Sequence, residues 1–341
     1  MAHLSASDFL TQARNKPVLD VRAPAEFAHG HIPGARSVPL FTDEERATVG
    51  TTYKQVSRDE ALKVGLEFVG PKMRTLVEAA EAVAPDRRVL VHCWRGGMRS
   101  GSVAWLLQTA GFAVDTLAGG YQGYRRQLMD DFAAPRPLVM LGGETGSGKT
   151  AILHALGDLD QAVVDLEGLA HHRGSAFGGI GLPPQPTTEQ FHNDLHARWQ
   201  AADPTCPLWV EDESFSIGTV QVPAPLWEQM KAARVVHVRV PRAARVERLV
   251  AEYGVLDQGE LAAAIRRIQK RLGPQHVPEL IQVLGEGDLH QVADRLLDYY
   301  DKSYRRGLAR RPSDQRIEVD CPTGDPVDNA RRVRDALRAQ G

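Results

Sequence analysis

Apolar and polar positions along the first 130 residues alternate between short strand-like runs and helix-length amphipathic stretches. Val18-Leu19-Asp20-Val21-Arg22 reads as a strand, and Pro24 to Gly30 as a helical turn opened by proline and closed by glycine. Pro33-Gly34 turns the chain into Ser37-Val38-Pro39-Leu40. Arg88-Val89-Leu90-Val91 suits a buried parallel strand, with a helix from Gly101 to Ala110 after it. Such alternation predicts a parallel sheet covered by helices on both faces. Pro135-Arg136-Pro137 is a stiff junction, after which the pattern restarts with Leu138-Val139-Met140-Leu141. Further strands fit Ala162 to Asp165, Leu208 to Glu213 and Val235 to Val240. From Leu261 the chain is mostly helical: Leu261, Ile265, Ile268 and Leu272 share one face until Gly273-Pro274 stops the helix. The pattern therefore predicts two α/β domains, residues 1–130 and 137–341, the second with a helical part over about 255–316.

Composition adds exclusions. With 341 residues, 43% hydrophobic and 25% charged, the chain is long enough for two cores. A net charge of -2 is no global nucleic-acid signal. Three cysteines, Cys93, Cys206 and Cys321, can form neither a disulfide framework nor a spaced metal site, so no metal is assigned with certainty. The start Met1 to Ala6 lacks a basic-then-apolar leader, and no run reaches membrane-spanning length. A cytoplasmic protein with no membrane partner is the expectation.

His92-Cys93-Trp94-Arg95-Gly96-Gly97-Met98-Arg99-Ser100 sits at the predicted strand-to-helix turn. Gly96 and Gly97 let the backbone curl so that amides point inward, while the helix start, Arg95 and Arg99 add positive charge. A thiol there should ionise more easily than free cysteine, whose pKa is about 8.5. The stretch reads as an anion-binding nucleophile loop, with Cys93 as nucleophile and Arg95, Gly96, Gly97, Arg99 and Ser100 as its cradle.

Gly142-Gly143-Glu144-Thr145-Gly146-Ser147-Gly148-Lys149-Thr150 contains Gly-x4-Gly-Lys-Thr between an apolar strand and a helix. Gly143, Thr145, Gly146, Ser147, Gly148, Lys149 and Thr150 are thus a candidate diphosphate cradle, with Lys149 as a point charge and Thr150 a candidate Mg2+ ligand. Asp165, Glu167, Glu211 and Asp212 at the following strand ends are candidate metal-binding or water-positioning carboxylates. No Asn-Lys-x-Asp guanine-reading motif follows, nor a kinase lid with paired arginines beyond Arg242, Arg245 and Arg248, so the diphosphate need not belong to a nucleotide. A glycine-rich loop, His171 to Gly181, has the length of a lid or binding surface. His171 and His172 point in different directions, and His192 and His196 lack a third zinc ligand nearby.

Residues 261–316 hold 11 Lys and Arg against 7 Asp and Glu. Arg266, Arg267, Lys270 and Arg271 lie opposite the apolar stripe, and Arg305, Arg306, Arg310 and Arg311 interleave with tyrosines. This local excess can follow an RNA backbone, or it can be a solvated helix face.

The string Asp20-Val21-Arg22-x-Pro24-x-Glu26-Phe27-x-x-Gly30-His31-Ile32-Pro33-Gly34-Ala35, the Cys93 loop and Leu117-Ala118-Gly119-Gly120-Tyr121 together resemble the rhodanese family over about 125 residues. That resemblance implies a loop cysteine that handles transferable sulfur or selenium. From Cys93 to Arg99 the spacing is Cys-x5-Arg, one residue longer than in simple thiosulfate sulfurtransferases and equal to that of cysteine-dependent phosphatases. A longer cradle suits a tetrahedral phosphorus group, so phosphatase activity stays open; against it, no general acid for a leaving alcohol is obvious, with only Asp20 and Glu26 left open for that role.

A rhodanese-like domain followed by a P-loop NTPase-like α/β domain with a helical C-terminal region is similar, over essentially the full length, to the tRNA 2-selenouridine synthase family. The resemblance implies a transferase that S-geranylates wobble 2-thiouridine with geranyl diphosphate and then replaces the geranylated sulfur with selenium from selenophosphate. It further implies tRNA as partner and a selenophosphate-supplying enzyme as a second one. Whether Cys93 carries selenium covalently or positions selenophosphate stays open. The alternatives are a sulfurtransferase or cysteine phosphatase fused to an ATP-dependent phosphotransferase, and a non-enzymatic tRNA-binding or sulfur-carrier protein.

Overall fold

A computed structural model describes residues 1–309 and 311–340. The chain divides into two compact units, Met1–Ala133 and Ala134–Gly341.

In the first unit, β1 (His3–Leu4), β2 (Val18–Asp20), β3 (Arg36–Ser37), β4 (Arg88–His92) and β5 (Ala113–Leu117) form a parallel sheet in the order β1-β5-β4-β2-β3. Strand β4 is buried from Val89 to His92, as its unbroken apolar run requires for a central strand covered on both faces. Strand β3 covers only Arg36–Ser37, and beyond it the Val38 and Leu40 amides still donate to the Asp20 and Val21 carbonyls. The helix after β4 begins at Met98 rather than Gly101, since Gly101 already donates to the Gly97 carbonyl. Arg99 and Ser100 therefore lie in its first turn. Leu19, Val21, Val89, Val91, Val103 and Leu107 pack together in the core beneath it.

The second unit contains β6 (Leu138–Gly143), β7 (Ala162–Val164), β8 (Leu208–Glu211), a hairpin of β9 (Ser216–Ile217) and β10 (Val220–Gln221), then β11 (Arg234–Arg239) and β12 (Arg316–Asp320). The main sheet is parallel, in the order β12-β11-β6-β8-β7. Chain order reverses at β6, and the crevice beyond the carboxyl end of such a strand is where open α/β sheets bind ligands. Strand β12 lies beyond any strand that the pattern assigned. It buries Ile317 and Val319 while turning Glu318 outward, a half-buried edge strand. The helix Pro326–Arg338 then packs Ala330 and Val333 against Ile152 and Leu156 of the helix Lys149–Asp158.

Helices Arg242–Tyr253, Gln258–Arg267, Val277–Gly285 and Leu289–Leu308 form the helical part. Leu261, Ile265, Leu280, Leu284, Val292 and Leu296 make a separate core, which Phe177 and Ile180 of the glycine-rich loop join. The loop is thereby pinned by its apolar residues. Arg136 at the junction stacks on Trp199, 4.8 Å from the ring centroid, and donates to the Trp199 and Asp203 carbonyls. Among the described residues no helix is long and apolar enough to cross a membrane.

Candidate active sites

Cys93 leaves the end of β4 buried, at 3% exposure, with its Sγ 3.2 Å from the Ser100 hydroxyl. Burial alone would push the thiol up. Hydrogen bonds from the Ser100 hydroxyl and amide, the Arg99 charge and the Arg95 amide outweigh it, so the thiol lies below its ordinary value. The loop closes over the sulfur because Gly96 adopts φ +67°, and a Cβ there would lie 2.6 Å from the Leu117 carbonyl oxygen. On the facing segment Gly120 has φ +58° and equally lacks room for a side chain, while Tyr121 and Gln122 donate to the Cys93 and Trp94 carbonyls. Gly97, by contrast, has φ -104°; its place is the N-cap of the helix.

Beneath the loop, Arg22 and Asp20 form a fully buried pair, 2.6 Å apart, and Arg22 also donates to the Gly30 carbonyl at 2.6 Å. The Arg22 guanidinium lies 3.8 Å from the Tyr121 ring centroid. Burial alone would raise the Asp20 carboxyl, but His92 and the Arg22 hydrogen bonds and charge hold it down. Burial likewise acts against Glu26, yet its hydrogen bonds to Arg99, the Arg99 charge and the Ala23 amide keep it ionised. Neither carboxyl has a proton to give at neutral pH. The phosphatase alternative thus loses both its candidate acids.

In the second unit, the loop between β6 and the helix Lys149–Asp158 turns through Gly146 (φ +78°) and Gly148 (φ +77°). A Cβ on Gly143 would lie 2.5 Å from the Ser147 Oγ, so this glycine admits the curl. Lys149 Nζ folds back to within 3.2 Å of the Gly143 carbonyl oxygen. Helix-start amides, the helix dipole and Lys149 together can neutralise a polyphosphate. Thr145 through Thr150 line one cavity with Asp165, Glu167, Arg173, Glu213, Arg248, Arg271 and Tyr304.

The four sequence-selected carboxylates occupy different positions. Glu167 accepts from the Thr150 hydroxyl at 2.9 Å, and burial raises its pKa against the pull of Lys149 and Thr150. Asp165 caps the helix Leu166–Ala170 through Gly168 and contacts His154 at 2.7 Å. Glu211 is fully buried and accepts from the Leu166 and Glu167 amides at 3.0 and 3.2 Å; burial, then its carboxylate neighbours, pushes it well up. Asp212 pairs with Arg311 at 2.6 Å, so its carboxylate is already committed. Sequence reading missed Glu213, whose carboxyl is pushed up to about 7 by burial, with Lys149 opposing and Glu167 and Asp212 adding to the rise. Its signal was the unbroken Glu-Asp-Glu run at the end of β8.

The histidines stay structural in placement. His171 bonds the Pro184 carbonyl at 2.9 Å from a left-handed C-cap position, and His192 bonds the Gln221 carbonyl at 2.9 Å. Among the described residues no group of three or more His, Cys, Asp or Glu side chains is arranged to hold a metal ion.

Residues 5–127 match the family model for the rhodanese-like domain, and residues 136–322 match that for the tRNA 2-selenouridine synthase AAA domain. The tRNA 2-selenouridine synthase of Cronobacter sakazakii is 38% identical, covering 87% of this chain and 88% of its own. Those of Nitrosomonas europaea and Hydrogenovibrio crunogenus are 34% and 37% identical, covering 92% and 85% of this chain and 80% and 89% of theirs. The chain belongs to the tRNA 2-selenouridine synthase family.

For a family named for a tRNA product, the placement of the cations matters. Arg266, Lys270 and Arg306 are exposed. Arg267 is exposed but donates to the Ala176 carbonyl at 3.0 Å, and Arg271 lines the P-loop cavity. Arg305 bonds Glu144 at 2.8 Å, reaching from the helical part to the P-loop. Arg311 is a correction to the expected RNA-facing set: it is largely buried, held by Asp212 and by the Met230, Lys231 and Ala233 carbonyls. Its four partners consume the guanidinium, leaving no face for a phosphate. Arg310 lies outside the described residues. The paired arginines sought as a lid are also engaged: Arg242 with Asp294 and Asp298, Arg245 with Asp301 and Glu144.

Proposed function

We propose that this chain converts wobble 2-thiouridine in tRNA to 2-selenouridine in two steps, one at each candidate site. In the first, the 2-thiouridine sulfur attacks C1 of geranyl diphosphate, the C1–O bond breaks, and N3 of the base loses its proton. Diphosphate departs into the P-loop, where Lys149 and the helix-start amides stabilise its charge. In the second, selenium from selenophosphate attacks C2 and the geranylthiol leaves. Water then cleaves the P–Se bond and releases phosphate. Alkylation is chemically necessary because a thiocarbonyl sulfur leaves poorly, whereas a thiol leaves well and its alkylated precursor has a more electrophilic C2.

The observation that supports this division is the pairing, in one chain, of a cysteine thiol 3.2 Å from the Ser100 hydroxyl in a Cys-x5-Arg loop, depressed by its partners, with a P-loop cavity in the other unit. Cys93, Arg95, Gly96, Gly97, Arg99 and Ser100 hold the selenium-bearing phosphate. Gly143 and Thr145 through Thr150 hold the diphosphate. Thr150 and Glu167 are the residues that fit a Mg2+ ion, one hydroxyl and one carboxylate 2.9 Å apart, for an ion that keeps several waters and takes phosphate oxygens. Such an ion would neutralise diphosphate charge. A selenophosphate-supplying enzyme is the partner that this chemistry requires, and the cytoplasm is where tRNA and selenophosphate meet.

The test supplies the substrates in order. Thiolated tRNA with geranyl diphosphate alone should yield S-geranyl-2-thiouridine, and later addition of selenophosphate should yield 2-selenouridine. Direct selenation without geranyl diphosphate, or tRNA-independent ATP hydrolysis in place of either step, overturns the reading.

A further inference from the structure

A second, apolar cavity of about 60 Å³ adjoins the P-loop cavity. Helices Arg242–Tyr253, Gln258–Arg267, Val277–Gly285 and Leu289–Leu308 wall it with side chains such as Leu261, Ile265, Leu284 and Leu296. Phe177 from the glycine-rich loop completes the wall. Thr145, Ser175, Leu249, Tyr253 and Tyr300 line both this cavity and the polar one that contains Lys149. The two spaces therefore adjoin: one is built for phosphate charge and the other is almost wholly hydrocarbon.

Its lining is apolar and it shares its boundary with the P-loop cavity, so a ligand that reaches it from Lys149 meets hydrocarbon. Neighbouring charges are consumed rather than aimed inward. Arg245 and Asp301 pair with each other at 2.8 Å, and Glu144 binds both Arg245 and Arg305. A nucleoside would find apolar side chains where a ribose and base need hydrogen-bond partners. A hydrocarbon chain needs none.

Resting on the proposed prenyl transfer at the P-loop, the geometry points to this helical cavity as the seat of the prenyl tail, with its walls setting the chain length accepted. The diphosphate lies at Lys149 and the tail passes between Thr145, Leu249 and Tyr300 into the space walled by Leu261, Ile265, Ala293 and Leu296. The glycine-rich loop closes one side through Phe177. This gives the helical part a role in substrate selection apart from any contact with RNA.

The experiment measures binding of geranyl diphosphate, five-carbon dimethylallyl diphosphate and inorganic pyrophosphate to the full chain and to two cavity variants. Ala293→Phe fills the space and should weaken geranyl diphosphate at least tenfold, leave pyrophosphate unchanged, and shift preference toward the shorter chain. Leu296→Ala enlarges the space and should improve binding of the fifteen-carbon farnesyl diphosphate relative to geranyl. Thermal melting verifies that each variant is folded. If wild type binds geranyl diphosphate no more tightly than pyrophosphate, both the prenyl reading of the P-loop and this inference fall. If wild type prefers geranyl diphosphate but both folded variants keep its chain-length profile, the tail lies elsewhere and this inference alone falls.

Discussion

Glu26 Oε2 accepts a hydrogen bond from Arg99 Nη1 at 2.7 Å, tying the helix Pro24–His29 to the first turn of the helix that follows the Cys93 loop. Because the same carboxylate accepts from the Ala23 amide at 3.0 Å, Arg99 is held by a group that is itself fixed. The guanidinium is thus positioned beside the sulfur before any anion arrives. Arg99→Ala should lower the rate of selenium incorporation about a hundredfold, the scale for one lost donor at a charged reaction centre. Glu26→Gln should lower it about tenfold. Since both act through one contact, the double variant should be no slower than Arg99→Ala alone, read from initial rates on geranylated tRNA.

The Cys93 thiol should titrate below the ordinary cysteine range. Iodoacetamide labelling of this cysteine should therefore plateau at a lower pH than labelling of an unfolded-chain cysteine. Ser100→Ala and Arg99→Ala should both move the midpoint upward, because each removes a partner of the thiolate. An unchanged midpoint in both variants would show that other groups set the thiol.

The buried Asp20–Arg22 pair should dominate the acid stability of the first unit. Breaking such a pair from one side costs about 3–5 kcal/mol, so Arg22→Leu should lose about that much in urea denaturation of the full chain. Asp20 has a depressed pKa, so its contribution is present above its unfolded value of 3.8 and is lost as pH falls through the lower folded value. Burial depresses His92 as well, adding stability above pH 6.5 that fades as pH drops toward its folded pKa. Melting temperature should fall in two stages on acidification, and His92→Leu should remove the upper one.

Affinity for tRNA should fall steeply with salt, with a log-log slope near about -4 for roughly five phosphate contacts. Arg266→Ala and Lys270→Ala, at exposed positions, should each reduce the slope by about 1. Arg311→Ala should leave the slope alone and instead lose about 1.5–3 kcal/mol of stability, since its partners are Asp212 and carbonyls. Filter binding from low to high salt, alongside denaturant melts, separates the two effects.

Local grammar made much of the molecule legible. The glycines around Lys149 and the Cys93-x5-Arg99 spacing encode backbone curls within a few residues, and both loops form at strand-to-helix turns. The Asp20 to Ala35 string was visible as a motif, but its purpose was not, since Arg22 meets Tyr121 across 99 positions of sequence. What stayed hidden was long-range pairing. Arg311 looked like a surface cation until Asp212, 99 residues earlier, was seen to hold it. The tail cavity was equally invisible, because its walls come from four helices and a loop whose apolar stripes read only as core.

The most direct measurement is mass spectrometry of nucleosides from thiolated tRNA treated with wild type, Cys93→Ala or Lys149→Ala, each given geranyl diphosphate and selenophosphate. Wild type should yield 2-selenouridine, Cys93→Ala should accumulate S-geranyl-2-thiouridine, and Lys149→Ala should leave 2-thiouridine in place. Identical product patterns from the two variants, or selenouridine formed normally by Cys93→Ala, would contradict one reaction step at each site.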